Sequence, residues 1–237
     1  MFYSVRNSAR GSFLILLVSV FAILLVSGCG GTAKENVTEK AAAQVDDQKT
    51  ETVVILKTTQ GDITVRFFPE TSPEHAKNFI EHSKSGLYTG TLFHRVIPGF
   101  MIQGGDPNSK DDNPNNDGMG GYSYLGEGTM LNAEFNDIPH TRGILSMARS
   151  RDVNSAGSQF FIMHAEYPSL NGQYTVFGEV IDGIEVVDFI ATTPKNNRDR
   201  PLEDQRIEEV EVLEWSVADI EKTKAAMWEE DNKAFKR

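Results

Sequence analysis

The stretch Phe93-His94-Arg95-Val96-Ile97-Pro98-Gly99-Phe100-Met101-Ile102-Gln103-Gly104-Gly105-Asp106 decides how the rest of this sequence is interpreted. Its apolar residues predict two short strands, and Pro98-Gly99 marks the break between them. Gly104-Gly105 ends the second strand, because glycine adopts turn conformations readily. The stretch therefore predicts a pair of strands inside a mainly β fold.

One face of the second strand combines apolar and polar side chains. Because successive side chains of a strand point to opposite faces, Met101 and Gln103 share a face and Ile102 lies on the other. Such a face suits a surface that holds an apolar ligand in one orientation. The alternative is that Arg95 and Gln103 simply point into water, as most Arg and Gln side chains do.

The remaining chain also favours a mainly β fold. Residues 53–58 and 63–68 form a predicted hairpin around Gln60-Gly61-Asp62, and residues 206–214 alternate between apolar and acidic side chains. Only two internal helices are predicted, from Pro73 to about Gly86 and from Ile184 to about Thr192. About eight strands with so few helices indicate a closed barrel.

The first predicted helix has a clear start and a clear apolar face. Ser72 is a candidate N-cap and Pro73 suits the first helical position. Ala76, Phe79, Ile80 and Ser83 form the stripe that faces the core. His75 and His82 lie off this stripe, and we expect both to be solvated.

Three further blocks accompany the opening stretch, in this order: Gly143-Ile144-Leu145-Ser146-Met147-Ala148, Ser158-Gln159-Phe160-Phe161-Ile162 and Leu170-Asn171-Gly172-Gln173-Tyr174-Thr175-Val176-Phe177-Gly178. Together the four blocks resemble the signature of the cyclophilin-type peptidyl-prolyl cis-trans isomerases. The resemblance covers residues from about 52 to 213. It implies a closed eight-stranded antiparallel β-barrel of cyclophilin type with two capping helices, and it implies isomerase activity on X-Pro peptide bonds.

The resemblance also implies a role for individual residues. Arg95 is the candidate that stabilises the twisted amide, Gln103 places Arg95 and the substrate carbonyl, and Phe100 completes the catalytic set. The substrate-binding residues that it implies are Met101, Ala148, Arg149, Gln159, Phe161, Leu170 and Tyr174.

Three positions depart from the family pattern. Arg149 stands where the family often has Asn, Ser169 where many members have Trp, and Tyr174 where many have His. Tyr174 still offers a ring with a hydroxyl tip, so it suits a proline pocket. The contact at Arg149 is expected through its backbone, which any residue supplies.

The formal net charge of −11 argues against a nucleic-acid partner, which requires a basic surface. Residues 106–121 are rich in Asp, Asn and Gly, and they lack the ligand spacing of an EF-hand, so a solvated loop is the better interpretation than a calcium site. We expect no cofactor and no metal.

Two other functional classes remain open beside the isomerase. One is a binding module for proline peptides, and the other is a hydrolase, although the sequence contains no G-x-S-x-G motif.

The N-terminal residues resemble a bacterial lipoprotein signal. Arg6 and Arg10 precede an apolar run that is shorter than the ~20 residues of a spanning helix. Val26-Ser27-Gly28-Cys29 resembles a lipobox, and Cys29 is the single cysteine of the chain. A signal anchor or an ordinary cleaved signal is the alternative.

We therefore divide the chain into a signal peptide (1–28), a lipidated N-terminus with a flexible linker (29–51), a cyclophilin-like isomerase domain (52–215) and a C-terminal helical extension (216–237). Ser216 and Asp219 resemble a capping box that starts this last helix. The predicted partners are proline-containing unfolded or flexible protein segments and, through the lipid on Cys29, a membrane. We expect a monomer on the extracytoplasmic side of the cell membrane or the outer membrane.

Replacing Cys29 by Ala tests the predicted anchor. The lipid chains would bind the membrane by burying methylenes at ~0.8 kcal/mol each, so their loss should release the protein. On detergent-phase partition of cells, we expect the wild type in the detergent phase and Cys29→Ala in the aqueous phase. A variant that remains in the detergent phase contradicts lipidation at this residue.

Overall fold

The computed structural model describes residues 49–234. The predicted signal peptide, Cys29 and most of the linker lie outside these residues, so the lipid anchor stays a prediction. Within residues 49–234, no helix has both the length and the apolar character needed to cross a membrane.

The described chain folds into eight strands and three α-helices. The strands are β1 (Thr50–Thr58), β2 (Gly61–Phe67), β3 (Arg95–Ile97), β4 (Met101–Gly104), β5 (Ile144–Met147), β6 (Phe160–Met163), β7 (Val176–Asp182) and β8 (Ile207–Ser216). The helices are α1 (Pro73–Lys84), α2 (Ile184–Thr192) and α3 (Val217–Ala234), and two 3-10 turns occupy Pro107–Lys110 and Pro168–Leu170. The mainly β fold with two internal helices and a C-terminal helix is confirmed.

All strands belong to one antiparallel sheet in the order β3-β4-β6-β5-β7-β2-β1-β8. The predicted strand pair at the opening stretch is the β3–β4 ladder, in which Arg95 lies opposite Gln103. The two end strands approach through their preceding segments, where the Phe93 N–H donates to the Gln205 carbonyl at 2.8 Å. The sheet is curled, and its closure into a complete barrel stays a prediction.

Alternation along the strands separates two apolar clusters. On β6, Phe160 and Ile162 point into the main core, whereas Phe161 and Met163 point to the opposite face. Met101 of β4 belongs to the second cluster with Phe161. The predicted faces of β4 are therefore confirmed, and the second cluster is the apolar lining of the candidate site.

Helix α1 closes the main core with Phe79, whose side chain is fully buried. Its ring lies 4.7 Å from that of Tyr88 and 5.0 Å from that of Phe160, measured between centroids. The rings of Phe67 and Phe177 lie 5.5 and 5.7 Å away. Such packing stabilises the core in two ways, because it buries apolar area and allows favourable edge-to-face contacts between rings.

The expectation that His75 and His82 are solvated is wrong, because both side chains are buried. His75 Nδ1 lies 2.7 Å from a carboxylate oxygen of Glu134, and His82 Nε2 lies 2.9 Å from the Tyr122 carbonyl oxygen. Both partners come from the long segment that follows β4. The buried face of α1 therefore includes two histidines beside the predicted apolar stripe, because residues distant in sequence bond to their ring nitrogens.

The predicted N-cap is also different in the structure. Ser72 precedes α1, but its hydroxyl donates to the Val176 carbonyl at 2.7 Å and does not cap the helix. The carboxylate of Glu134 instead accepts the N–H groups of Glu74 and His75, at 3.2 and 3.0 Å. A carboxylate at this end also suits the helix dipole.

The Asp- and Asn-rich segment 106–121 is exposed over residues 110–115 and 118–119, as the solvated-loop interpretation predicts, but two of its aspartates are enclosed. Asp106 is fully buried and its carboxylate accepts the Asn108 N–H at 2.8 Å. The Asp117 carboxylate lies 2.6 Å from Arg200 Nε. Two short ionic and polar contacts thus fix the ends of this loop.

Helix α3 packs against the sheet and does not project into solvent. Ser216 caps it as predicted, since the Asp219 N–H donates to Ser216 Oγ at 3.1 Å, but the Asp219 carboxylate accepts from the Ser216 hydroxyl and does not complete the capping box. Ile220 and Met227 are buried, and Trp228 packs against the main core. The predicted C-terminal helical extension therefore forms a helix over Val217–Ala234 that is docked on the sheet.

Replacing Phe79 by Ala should destabilise the protein strongly. The change removes a fully buried ring from four aromatic neighbours, so we expect a loss of ~3–5 kcal/mol in the free energy of unfolding. Phe189→Ala is the matched control, because Phe189 is 57% exposed, and its effect should stay within ~0.5 kcal/mol. Urea unfolding of both variants measures the difference, and equal losses would contradict this account of the core.

Candidate active site

A cavity of about 130 Å³ opens on the face of the sheet opposite the main core. Nine of the ten predicted catalytic and substrate-binding residues line it, namely Arg95, Phe100, Met101, Gln103, Ala148, Arg149, Phe161, Leu170 and Tyr174. The tenth, Gln159, lines an adjoining cavity of about 250 Å³ that shares Gln103, Ala148 and Arg149 with the first. The structure therefore brings all ten residues to one continuous surface.

The floor of the smaller cavity is apolar. Met101 and Phe161 are 2% and 5% exposed and sit on the neighbouring strands β4 and β6. The Tyr174 ring packs edge-on against that of Phe161, with centroids 5.7 Å apart. A flat apolar ring fits between such walls, because aromatic faces and edges provide large contact area without a polar group to desolvate.

Phe100 reaches this cavity because the chain turns immediately before it. Gly99 adopts φ +75°, which L residues with a side chain rarely adopt. The turn is closed by the Phe100 N–H, which donates to the Ile97 carbonyl at 3.0 Å. Strand alternation alone does not put Phe100 beside Met101, and this turn supplies the missing rotation.

A chain of polar side chains borders the cavity. Arg95 Nη1 donates to Gln103 Oε1 at 3.3 Å, and Gln103 Nε2 donates to Gln159 Oε1 at 3.0 Å. Gln159 Nε2 then donates to the Gly118 and Gly120 carbonyls, at 3.0 and 2.7 Å. Because a guanidinium contains only donors, each amide in the chain has a single consistent orientation.

Arg95 itself is held without being buried. Its side chain is 41% exposed, and its Nε lies 3.9 Å from a carboxylate oxygen of Asp199. Gln103 therefore provides its one hydrogen bond within the cavity. Within residues 49–234 Arg95 Nη2 donates no hydrogen bond, so this end of the planar, rigid guanidinium can meet a substrate at the rim.

Arg149 contributes a side chain as well as the predicted backbone. Its guanidinium carbon lies 4.5 Å from the Tyr174 ring centroid, a cation–π arrangement. Arg149 Nη2 also donates to the Gln173 carbonyl at 2.9 Å. The arginine that replaces the usual Asn thus holds the tyrosine that replaces the usual His.

A buried histidine supports the floor from below. The His140 ring stacks on Phe161 with centroids 6.1 Å apart and an interplanar angle of 18°. Its Nε2 lies 3.0 Å from Ser146 Oγ, and its Nδ1 lies 3.1 Å from Asn171 Oδ1. Burial lowers the pKa of His140 although the bond to Asn171 opposes this, so the ring is neutral at pH 7.

Two features of the site escaped the sequence analysis. Tyr167 packs against Phe100 with the two rings tilted by 48° and their centroids 4.5 Å apart. Met119 and Met130 line the adjoining cavity, and their side chains are 77% and 46% exposed. For Tyr167 the available signal was an aromatic residue two positions before Ser169, which stands where many family members have Trp. No sequence pattern pointed to Met119 or Met130.

A metal has no evident place here. Within residues 49–234, no group of three or more His, Cys, Asp or Glu side chains is arranged to hold a metal ion. The polar groups at the cavity are a guanidinium and amides, which suit carbonyl recognition better than cation binding.

Comparison with protein families agrees with this geometry. The family model described as cyclophilin-type peptidyl-prolyl cis-trans isomerase matches residues 53–212. This chain belongs to the cyclophilin-type peptidyl-prolyl cis-trans isomerases. As a cyclophilin it is a peptidyl-prolyl cis-trans isomerase, and its helix α3 lies beyond the matched residues.

Several related cyclophilins show how far the similarity extends. A peptidyl-prolyl cis-trans isomerase of Arabidopsis thaliana is 46% identical over 161 residues, which cover 67% of this chain and 94% of the relative. One of Dictyostelium discoideum is 45% identical over 159 residues, covering 67% and 96%. A probable peptidyl-prolyl cis-trans isomerase of Brucella abortus is 44% identical over 144 residues, covering 59% and 71%.

A solved cyclophilin has a similar fold. The crystal structure of a Cryptosporidium parvum cyclophilin-type isomerase, determined in the presence of the dipeptide Ala-Pro, superposes with a TM-score of 0.62 and 36% identity. The match covers 68% of this chain and 98% of that one. Nearly the whole of the solved cyclophilin therefore has a counterpart in this chain.

The histidines of this cyclophilin predict a loss of stability on acidification. Burial is the largest effect on all five, and it lowers the pKa of each below the ordinary 6.5. The unfolded chain therefore takes up protons first, and stability is lost as the pH falls from about 6.5 through the lower folded-state pKa values.

Urea unfolding at pH 7.5 and at pH 5.5 measures this loss, with a lower midpoint expected at pH 5.5. The matched variant is His82→Gln, which keeps an amide donor for the Tyr122 carbonyl but does not titrate. Its decrease between the two pH values should be smaller than that of the wild type. A decrease of the same size would show that His82 is not among the groups responsible.

Proposed function

We propose that this isomerase accelerates rotation about X-Pro bonds in exported or surface proteins and so assists their folding, with Arg95 stabilising the twisted amide. The observation that supports the proposal is the position of Arg95 at the rim of a small cavity with an apolar floor. A proline ring would occupy the cavity while the preceding peptide bond lies under the guanidinium.

The chemical problem is rotation and not bond cleavage. An amide resists rotation by ~18–20 kcal/mol, because the nitrogen lone pair is delocalised into the carbonyl. Both isomers of an X-Pro bond are populated, and their exchange takes tens to hundreds of seconds. A catalyst therefore has to bind the twisted state more tightly than either planar state.

Arg95 provides that difference in binding. In the twisted state the prolyl nitrogen becomes pyramidal and regains its lone pair, which accepts a hydrogen bond. A guanidinium N–H aimed at this nitrogen interacts with the twisted state and has no equivalent acceptor in the planar states. The bond from Arg95 to Gln103 limits the rotation of the guanidinium, so little reorganisation is needed when the amide twists.

The apolar residues and the amides have separate tasks. Phe100, Met101, Phe161, Leu170 and Tyr174 would contact the ring in every state, and thus fix the axis about which the bond rotates. Gln103 would place the substrate carbonyl, and the preceding residues of the substrate would follow Ala148, Arg149 and Gln159. An acceleration of 10⁴ requires only ~5.4 kcal/mol, which a few oriented contacts supply.

The location of the substrates follows from the N-terminal residues. A signal peptide and a lipid on Cys29 would place the domain at the extracytoplasmic face of a membrane, where exported chains fold. The linker that precedes β1 would let the domain reach such chains. A proline-containing substrate is supported by the Cryptosporidium parvum relative, which was crystallised in the presence of Ala-Pro.

Replacing Arg95 by Ala tests the role of the guanidinium. The loss of a donor that acts mainly in the transition state should lower kcat/KM by about 10²–10³, carried mostly by kcat. The measurement is the cis-to-trans rate of a peptide that contains Ala-Pro.

Arg151→Ala is the control, because Arg151 is an exposed arginine of the loop after β5 and lines neither cavity. It should retain the wild-type rate. Equal rates for Arg95→Ala and wild type would remove the mechanism proposed for Arg95. A wild type that binds the peptide without turnover would instead identify a binding module.

A further inference from the structure

The turn that carries Phe100 is held by one histidine. The Gly99 N–H donates to His164 Nδ1 at 3.0 Å, and the His164 N–H donates to the Phe100 carbonyl at 2.9 Å. His164 follows β6 directly and thus connects the turn to the strand that provides Phe161. Since Nδ1 accepts, the ring proton of neutral His164 is on Nε2.

The protonated side of this ring faces a pair of charged residues. His164 Nε2 lies 3.3 Å from Asp188 Oδ1, and Asp188 Oδ2 accepts from Arg142 Nη2 at 2.7 Å. Arg142 Nη1 also donates to the His164 carbonyl at 3.0 Å. Arg142 and Asp188 therefore fix both the backbone and the ring of His164. Arg142 lies in the segment before β5, and Asp188 lies on α2.

The same arginine is bound by the C-terminal helix. Asp231 of α3 accepts from Arg142 Nε and Nη2, at 3.2 and 2.9 Å. The Asp231 side chain is only 11% exposed and that of Arg142 only 16%, so water screens this pair weakly. An unbroken series of hydrogen bonds and ion pairs thus runs from α3, outside the matched family residues, to Phe100.

We propose that His164 is a positioning residue for Phe100, and that helix α3 stabilises it through Asp231 and Arg142. The inference rests on the proposed role of Phe100 as a wall of the proline pocket. Pro98 and Gly99 are exposed, so the packing of neighbouring residues does not fix this turn. The two hydrogen bonds to His164 and the ring of Tyr167 hold it instead.

The kinetic signature of such a role differs from that of Arg95. Phe100 would contact the proline ring equally in the planar and twisted states, so it contributes uniform binding. A displaced Phe100 raises KM and leaves kcat unchanged, whereas the loss of Arg95 lowers kcat. KM equals Kd only when rotation is slow relative to substrate dissociation, so KM is compared with the Kd of the same peptide.

Two substitutions of His164 separate positioning from folding. His164→Ala removes the acceptor for the Gly99 N–H and should raise KM about five-fold, the effect of one neutral hydrogen bond, with kcat close to wild type. His164→Asn keeps an acceptor near the position of Nδ1 and should restore KM to within about two-fold. An unchanged KM in His164→Ala, or an Asn variant as impaired as the Ala variant, would overturn the proposal.

The contribution of α3 is tested with a matched pair on the same helix. Asp231→Ala removes the carboxylate that binds Arg142, whereas Glu221→Ala removes the one that lies 2.6 Å from Arg66 Nη1, on β2. We expect KM to rise at least two-fold for Asp231→Ala, less than the loss of its two charged hydrogen bonds would suggest because Asp231 acts on Phe100 only through Arg142 and His164, and to stay at the wild-type value for Glu221→Ala. Equal effects of the two changes, or none from Asp231→Ala, would refute the role of α3.

Amide hydrogen exchange supplies a second measurement that does not depend on turnover. In Asp231→Asn the Gly99 amide should exchange faster than in wild type, and in Glu221→Gln it should not. If the wild type binds an Ala-Pro peptide without turnover, the proposed function fails, while Kd and exchange still test the positioning role. Unchanged exchange at Gly99 in Asp231→Asn counts against the inference.

Discussion

The register between β3, β4 and β6 is the constraint on which the site depends. It places Arg95 opposite Gln103, and Gln103 opposite Phe161. A shift of one residue would move every side chain of β4 to the other face, so the polar and apolar halves of the pocket would separate. The main core enforces the register, because Ile102 and Phe160 are fully buried on the opposite face.

Polar groups around this sheet are connected in two separate series. One runs along the cavity from Arg95 through Gln103 and Gln159, and it determines the orientation of each amide. The other runs behind the cavity from α3 to the turn at Gly99. The first would contact the substrate and the second would hold a wall of its pocket, so substitutions in the two should have different kinetic consequences.

Much of the strand arrangement was predictable because alternation is a local property. The faces of β4 and β6 follow from period two alone, and the hairpin of β1 and β2 follows from its glycine turn. The histidines of α1 were assigned wrongly for the opposite reason. His75 and His82 become buried because Glu134 and Tyr122, which are distant in sequence, satisfy their ring nitrogens.

The sequence by itself determined the family, the order of elements and the ten residues around the site, since motifs and strand period are written in neighbouring residues. Only the tertiary structure decided that Tyr167 covers Phe100 and that α3 reaches the turn at Gly99 through Arg142. These are contacts between segments separated by tens of residues. Their partners are selected by packing and by the need to satisfy buried charge, which no local pattern records.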